Sequence, residues 1–327
     1  MLKRIVTIQD VSCFGKCSST VALPLISAMG VETAVIPTAV LSTHTGGFTG
    51  YTFRDLTADI PQIAAHWKTL QLHFDGIYTG YLGSREQVQI MADFFDAFRS
   101  EDTVIVVDPV MGDAGSMYAG FTPDFAVEMR KLCGKADVIA PNMTEVSLLL
   151  GIPYAEQCPL ETVKTYLKQL TEIGCPIAVI TGIRNGDQHG AIAYDSTTGS
   201  YYAAYREHVP EPMHGTGDIF ASVLSGALVR GASIEQALSI AVNFTADTIQ
   251  ATLPDLRTLP REEAPWYGVE FEACIGNLVD YVKEIHSRQY RTKSVWRLCT
   301  PSACKFPVIF HKKFDDASVA QSLCGIA

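Results

Sequence analysis

Three short stretches set carboxylates beside glycines or turns, and each has residues suited to handling phosphate or a metal ion. The strongest is His214-Gly215-Thr216-Gly217-Asp218, which leads directly into the apolar helical pattern Ile219–Leu228. Glycine lets a backbone approach a ligand closely and adopt dihedrals closed to other residues. The unpaired N–H groups of a helix start then face an anion, and the helix dipole reinforces them. A carboxylate held at that point, Asp218, can take the proton of an attacking hydroxyl while the amides carry charge on the group being transferred. Taken alone, the same five residues also fit a Gly-rich turn closed by an Asp cap. The second stretch, Asp108-Pro109-Val110-Met111-Gly112-Asp113, flanks a turn with two carboxylates, and Mg²⁺ favours carboxylate oxygen together with water and substrate phosphate. The third, Pro141-Asn142-Met143-Thr144-Glu145, opens a helical pattern in which Asn142 or Thr144 could cap and Glu145 could complete a capping box.

Two other motifs fail on inspection. Gly215 to Phe220 imitates GxGxxG but has Phe220 in place of the third glycine, so dinucleotide binding is not supported. Gly15-Lys16-Cys17-Ser18 imitates a phosphate-binding P-loop, yet Asp10 stands where its first glycine belongs and Cys17 where Ser or Thr belongs. His66, His73, His189 and His208 read as surface or core histidines. The cluster Phe94, Phe95 and Phe98 reads as the buried face of a helix, and the acidic pairs Glu262-Glu263 and Glu270-Glu272 as solvated.

Positioning three such turns in one place requires a scaffold, and the apolar runs describe one. Ile5–Ile8, Glu32–Pro37, Gly76–Gly80, Thr103–Val107, Val138–Ala140 and Ile177–Ile180 read as buried parallel strands. Helical spacing follows across Thr20–Met29, Ser84–Arg99, from near Thr144, and across Asp218–Arg230 and Ile234–Ala251. Gly190–Tyr194 and Ser200–Tyr205 read as a hairpin about Asp195–Gly199. Strands alternating with helices imply an α/β fold with a mainly parallel sheet covered on both faces. Ligands bind such sheets at the carboxyl ends of the strands. That rule brings Asp10, Tyr81, Asp108, Asn142 and Thr181 to one crevice.

Composition bounds the remaining possibilities. Apolar residues make up 47% of the 327 residues and charged ones 18%, enough for a substantial core. A net charge of −10 argues against a general nucleic-acid partner, which needs a basic face. The opening apolar run stops at Gln9-Asp10, too short for a signal-peptide core, and nothing in the sequence reads as a membrane span. The nine cysteines are scattered, without a CxxC pair, as reduced thiols of a cytoplasmic protein would be. One domain is expected over 1–287. Residues 288–327 form a basic, Cys-containing tail in which periodicity fades: from 291 on, six basic side chains stand against Asp315 and Asp316.

Taken in order, the motifs resemble the pyridoxal kinase (pyridoxine/pyridoxamine kinase) branch of the ribokinase-like superfamily, from about Lys3 to Glu284. The residues that carry the likeness are Ile8-Gln9 with Gly15, Ser42 to Gly46, Gly80 to Ser84, Asp108 to Asp113, Gly115 to Tyr118, Pro141-Asn142 with Glu145, and Gly215 to Asp218. The resemblance implies a ribokinase-like three-layer sandwich, a homodimer, and transfer of the ATP γ-phosphate to the 5′-hydroxymethyl group of a vitamin B6 vitamer. It makes Asp218 the base, with Gly215, Thr216 and Gly217 as its anion hole. It assigns Asn142, Thr181 and Gly182 to ATP phosphates, Val242 and Thr245 to the adenine region, and Asp108, Asp113 and Glu145 to Mg²⁺, with K⁺ a further candidate. Asp10, Ser12, Cys17, His44, Thr45, Gly46 and Tyr81 fall around the substrate ring, Cys17 at an apolar ring-side position, and His44 to Tyr51 fall where the family folds a cover over the substrate. Asp10-Val11 departs from the Ser-His that usually follows Ile-Gln, and a carboxylate there favours a protonated ring nitrogen or an aminomethyl group. Hydroxymethylpyrimidine kinases of thiamine synthesis share the fold and the His-Gly-Thr-Gly-Asp form, and a B6-binding protein without turnover is the remaining alternative.

Overall fold

The computed structural model describes residues 2–291; the tail expected from 288 lies, from 292 on, outside the described residues, and its expected boundary falls inside the last helix. In chain order the strands are β1 (Arg4–Ser12), β2 (Glu32–Leu41), β3 (Phe53–Asp55), β4 (Gly76–Thr79), β5 (Val104–Val107), β6 (Gly112–Asp113), β7 (Ser116–Met117), β8 (Val138–Ile139), β9 (Ile177–Asn185), β10 (Gln188–Asp195) and β11 (Ser200–Glu207). The helices are α1 (Ser19–Ala28), α2 (Ile60–Thr69), α3 (Arg85–Phe98), α4 (Pro123–Cys133), α5 (Met143–Leu150), α6 (Leu160–Thr171), α7 (Thr216–Val229), α8 (Ile234–Thr258) and α9 (Ile275–Arg291).

β-Branched runs such as Val104-Ile105-Val106-Val107 suit strands buried on both faces, and they build the middle of the sheet. The order is β11-β10-β9-β8-β5-β4-β1-β2-β3, with β2, β1, β4, β5, β8 and β9 pairing in parallel. The β10–β11 hairpin and β3 extend the two edges antiparallel. Alternate side chains go to opposite faces: Ile5 and Val106 join the apolar layer under α1, α7, α8 and α9, while Val6, Ile8, Ile105 and Val107 join the layer under α2 to α6. The result is the three-layer sandwich, and burying each such side chain stabilises it by roughly 1.5–3 kcal/mol. Helix α3 shows how sequence fixes an element. Ser84 caps it by accepting the Gln87 amide at 3.2 Å, and Val88, Met91, Phe94, Phe95 and Phe98 recur at helical spacing on the buried face.

Three elements run past the ends that hydrophobicity marks. β1 continues through Asp10 to Ser12, because Val11 and Ser12 go on pairing with Val40 and Leu41 after a register shift. Asp10 therefore sits at an irregularity inside the strand, not at its end. β9 continues to Asn185 because β10 pairs back along it, with a second shift that throws out Gly182 at φ 74°. Helix α8 likewise extends beyond Ala251 to Thr258, through Pro254. No helix among the described residues is long and apolar enough to cross a membrane.

Candidate active site

One cavity of about 1220 Å³ opens over the carboxyl ends of the parallel strands, and every residue expected at the site lines it. These are Asp10, Ser12, Cys17, His44, Thr45, Gly46 and Tyr81 toward one end, and Asn142, Thr181, Gly182, Val242 and Thr245 toward the other. Asp108, Asp113, Glu145 and the Gly215–Asp218 turn lie with them.

The turn is built by backbone. Gly215 caps α7 in the left-handed region at φ 82°, and an added Cβ would lie 2.0 Å from the Lys16 carbonyl oxygen, so only glycine fits. A Cβ on Gly217 would meet nothing within 4 Å; that position is open because it faces the cavity. Asp218 lies in the first turn of α7, where the amides are free of intrahelical partners. It is half-buried with a face toward the cavity, and desolvation raises its carboxyl to about 7. The Ser18 amide and the Cys17 thiol hydrogen-bond it and hold it down, while the charge of Asp10 pushes it up. Cys17 lines the cavity beside the base; its own thiol is pushed well up by burial and by both carboxylates. Ser18 was missed from sequence. It stands at the N-terminus of α1 with φ 56°, a strained value for serine, and its hydroxyl bonds Asp10 while its amide faces Asp218.

Asp108 and Glu145 are buried, and both carboxyls lie well above the usual range. Burial is the main cause, followed by the charge of Asp218 on Asp108 and of Asp108 on Glu145. The three carboxylates expected to hold a metal do not form a closed set. Among the described residues no group of three His, Cys, Asp or Glu side chains is spaced to hold an ion. Glu145 Oε1 accepts the Met111 amide at 3.1 Å and Oε2 the Asn142 amide at 2.9 Å, so this side chain ties the 108–113 turn to α5. Asn142 completes the capping box: Oδ1 accepts the Glu145 amide at 3.0 Å, and Nδ2 donates to the Gly112 carbonyl at 2.9 Å. Nδ2 carries a second N–H beyond the one given to Gly112, and Asn142 lines the cavity. Asp113 is exposed and closes its own turn, accepting the Ala114 amide at 2.8 Å.

The other end is roofed by rings. Phe48, from the 44–51 segment, packs on Trp266 at 4.6 Å and on His44 at 4.9 Å, and Phe14 packs on Tyr267 at 4.8 Å. His44 was expected against the substrate, but both ring nitrogens are taken: Nδ1 accepts the Gly46 amide at 3.1 Å and Nε2 bonds the Tyr267 carbonyl at 2.7 Å. It pins the cover to the 266–267 loop. Trp266 and Tyr267 come from a stretch without periodicity, so sequence gave no sign of them. His189, read as an ordinary histidine, lines the nucleotide-side wall with Arg206, whose guanidinium pairs with Asn243 at 2.9 Å and Asp247 at 3.3 Å.

A parallel sheet with a glycine-bounded helix start and a half-buried carboxylate at its mouth defines a ribokinase-like small-molecule kinase, an enzyme that moves phosphate to an alcohol. Residues 23–258 match the profile described as phosphomethylpyrimidine kinase, and the chain belongs to that family, within its pyridoxal kinase branch. A Bacteroides thetaiotaomicron protein provisionally assigned as a phosphomethylpyrimidine kinase, solved in an orthorhombic form with pyridoxal, is 40% identical, with 85% of this chain and 96% of that one covered and a TM-score of 0.79. Pyridoxal kinase from Lactobacillus plantarum is 33% identical over 87% of this chain and 99% of its own, with a TM-score of 0.78. The pyridoxine/pyridoxal/pyridoxamine kinase of Bordetella avium is 26% identical, covering 83% of this chain and 95% of its own.

Proposed function

We propose that this chain transfers the γ-phosphate of ATP to the 5′-hydroxymethyl group of a vitamin B6 vitamer, giving the 5′-phosphate. The observation that carries the reading is Asp218, set between the open amides of α7 and a ring-sized pocket walled by Asp10, Thr45 and Tyr81. A base whose carboxyl lies near 7 matches the task of accepting a hydroxyl proton at neutral pH. The substrate hydroxyl approaches Asp218 from the roofed end and the polyphosphate lies toward Thr181 and Gly182. The α7 amides receive the charge that develops on the transferring group. The cover of Phe48 and Trp266 keeps water from taking the phosphate in place of the alcohol.

The buried carboxyls of Asp108 and Glu145, with Asp113 in the same cavity, offer the oxygen ligands a hard divalent cation takes. Asp108 and Asp113 would hold Mg²⁺ together with water and phosphate oxygens, Glu145 bracing the turn behind them, and the ion would neutralise polyphosphate charge there. The enzyme works as a cytoplasmic homodimer in this reading. Free thiols at Cys13, Cys17, Cys133, Cys158, Cys175 and Cys274 support the reducing compartment, and a sedimentation mass near that of one chain would remove the dimer.

An ATP-consumption assay with pyridoxal, pyridoxine, pyridoxamine and hydroxymethylpyrimidine tests the assignment. Turnover of the B6 vitamers is expected. Turnover of hydroxymethylpyrimidine alone would move the enzyme to thiamine synthesis, and tight vitamer binding without ATP consumption would make it a carrier. Retention of Asp218 argues against the carrier, which needs no base.

A further inference from the structure

On the nucleotide side of the cleft one cation is held from behind by the last helix. Arg206 lines the cavity near the end of β11, with its side chain 31% exposed. Its Nη1 donates to Asn243 Oδ1 at 2.9 Å and its Nη2 to Asp247 Oδ1 at 3.3 Å, two residues one turn apart on α8. The other oxygen of Asp247 accepts the Tyr281 hydroxyl at 2.6 Å and the Asn277 amide at 3.2 Å, both from α9. Asn243 is anchored as well, its Nδ2 donating to Ser239 Oγ at 3.3 Å. These contacts use two of the five N–H groups of the guanidinium, and three remain for a ligand. His189, opposite Arg206 in the β10–β11 ladder, and Glu207 line the same wall. The ladder also places Arg206 away from the reacting end. Thr181 pairs with Ala191 and Ala191 with Ala204, so Arg206 lies two strands outward from Thr181 and two residues further along. At about 4.8 Å between strands and about 3.3 Å per residue, the separation is on the order of 12 Å. Across from it α8 offers Val242, Thr245, Ala246 and Ile249 to the cavity, a largely apolar face suited to a purine.

We propose that Arg206 binds the nucleoside half of ATP, donating to ribose and purine acceptors, and that α9 sets its orientation through Tyr281 and Asp247. The proposal rests on ATP being the phosphate donor. It adds a contact from outside the glycine and carboxylate motifs, with the C-terminal helix as its support. Arg206 touches the ligand, whereas Asp247 and Tyr281 act through it as positioning residues. A planar fork held at two points on α8 presents its remaining N–H groups in one direction, which a lysine ammonium on a flexible stem does not. The α7 amides stand at the other end of the polyphosphate, so loss of Arg206 is felt in nucleotide affinity rather than in the chemical step.

The test compares the full chain with Arg206→Met, Arg206→Lys, Tyr281→Phe and the double variant Arg206→Met with Tyr281→Phe. Affinity for ADP and for inorganic tripolyphosphate is read by calorimetry, and kcat and KM by ATP consumption. Hydrogen bonds from a charged group predict that Arg206→Met weakens ADP by about tenfold and raises KM for ATP by a similar factor. Tripolyphosphate affinity and KM for the alcohol should move by less than about twofold, and Arg206→Lys should fall between Arg206→Met and wild type. Tyr281→Phe should weaken ADP by about two- to threefold when Arg206 is present and have no further effect on ADP in the Arg206→Met background. A hydroxyl that only stabilises α9 would change ADP affinity equally in both backgrounds, or in neither, and either result overturns the support through α9. Unchanged ADP affinity in Arg206→Met, or tripolyphosphate weakened as much as ADP, overturns the nucleoside contact. Arg206→Lys, which keeps a cation beside Asp247, carries the comparison where Arg206→Met melts far below wild type. Binding is measured apart from turnover, so a wild type that binds ADP but phosphorylates none of the alcohols would count against the kinase reading and leave the Arg206 contact standing.

Discussion

The two ends of the cleft are made of different material. Around Asp218 the working parts are backbone: the left-handed Gly215, the open α-carbon of Gly217, the first amides of α7, and a capping box that fixes the 108–113 turn to α5. Around Asp10 they are side chains, a carboxylate among hydroxyls, a phenol, and a roof of Phe48, Trp266 and Tyr267. Backbone donors recognise a phosphoryl group whatever alcohol receives it, whereas side chains read one ring. The reaction type is therefore set at one end and the substrate at the other, and substitutions at the two ends should fail in different ways.

The largest effect is expected at the base. Asp218→Asn should lower kcat by about 10²-fold or more with ATP affinity nearly unchanged, because the amide keeps the shape but accepts no proton. The same variant separates catalysis from stability. The folded carboxyl of Asp218 lies at about 7 against an ordinary 3.8, so the favourable contribution of its proton is complete below 3.8 and is lost as pH rises through 7. Asp218→Asn should therefore unfold at higher denaturant than wild type at pH 8 and show no such gain near pH 3.5. Near-normal turnover in this variant would exclude Asp218 as the base.

Next come the two glycines, whose contrast tests whether the turn is backbone machinery. Gly215→Ala combines a left-handed dihedral with a clash on the Lys16 carbonyl, and is expected to destabilise the fold by about 1–3 kcal/mol or more in denaturant titration. Gly217→Ala meets no protein atom, so it should fold normally and lose activity only by crowding the incoming phosphate. Equal stability losses would mean that the two positions play the same part. At the roofed end, Phe48→Ala removes the ring that bridges Trp266 and His44. Roughly tenfold higher KM for the vitamer, with raised ATP hydrolysis in its absence, is the expected signature of a leaking cover.

The same division governs what could be read in the sequence. Glycines, caps and β-branched runs are local signals, and they located the parallel strands, the α7 turn and the Asn142-Glu145 box before any coordinates. Pairing is not local: nothing in Gln9-Asp10-Val11 shows that β2 runs on to Leu41 and draws β1 past its apolar stretch. Nor does spacing reveal that Glu145 spends its oxygens on two backbone amides, or that Cys17 turns its thiol to Asp218. Trp266 and Tyr267 reach the roof from a loop more than two hundred and twenty residues beyond His44, where no periodicity announces them.

The smallest effect is the most discriminating, because it asks whether the two ends are coupled. With Asp218 ionised as the working form, kcat/KM should fall on the acid side with a limb near 7. Asp10 raises that carboxyl through like charge, and the Cys17 thiol lowers it by donating a hydrogen bond. Asp10→Asn should therefore move the limb toward lower pH and Cys17→Ala toward higher pH, each by roughly one pH unit. Each shift is read relative to the variant's own plateau, so a change in affinity does not mask it. Opposite displacements would show that a residue of the substrate end sets the strength of the base across Ser18. Two limbs that stay at the wild-type position would mean that the ends are independent and that burial alone holds Asp218 near neutrality.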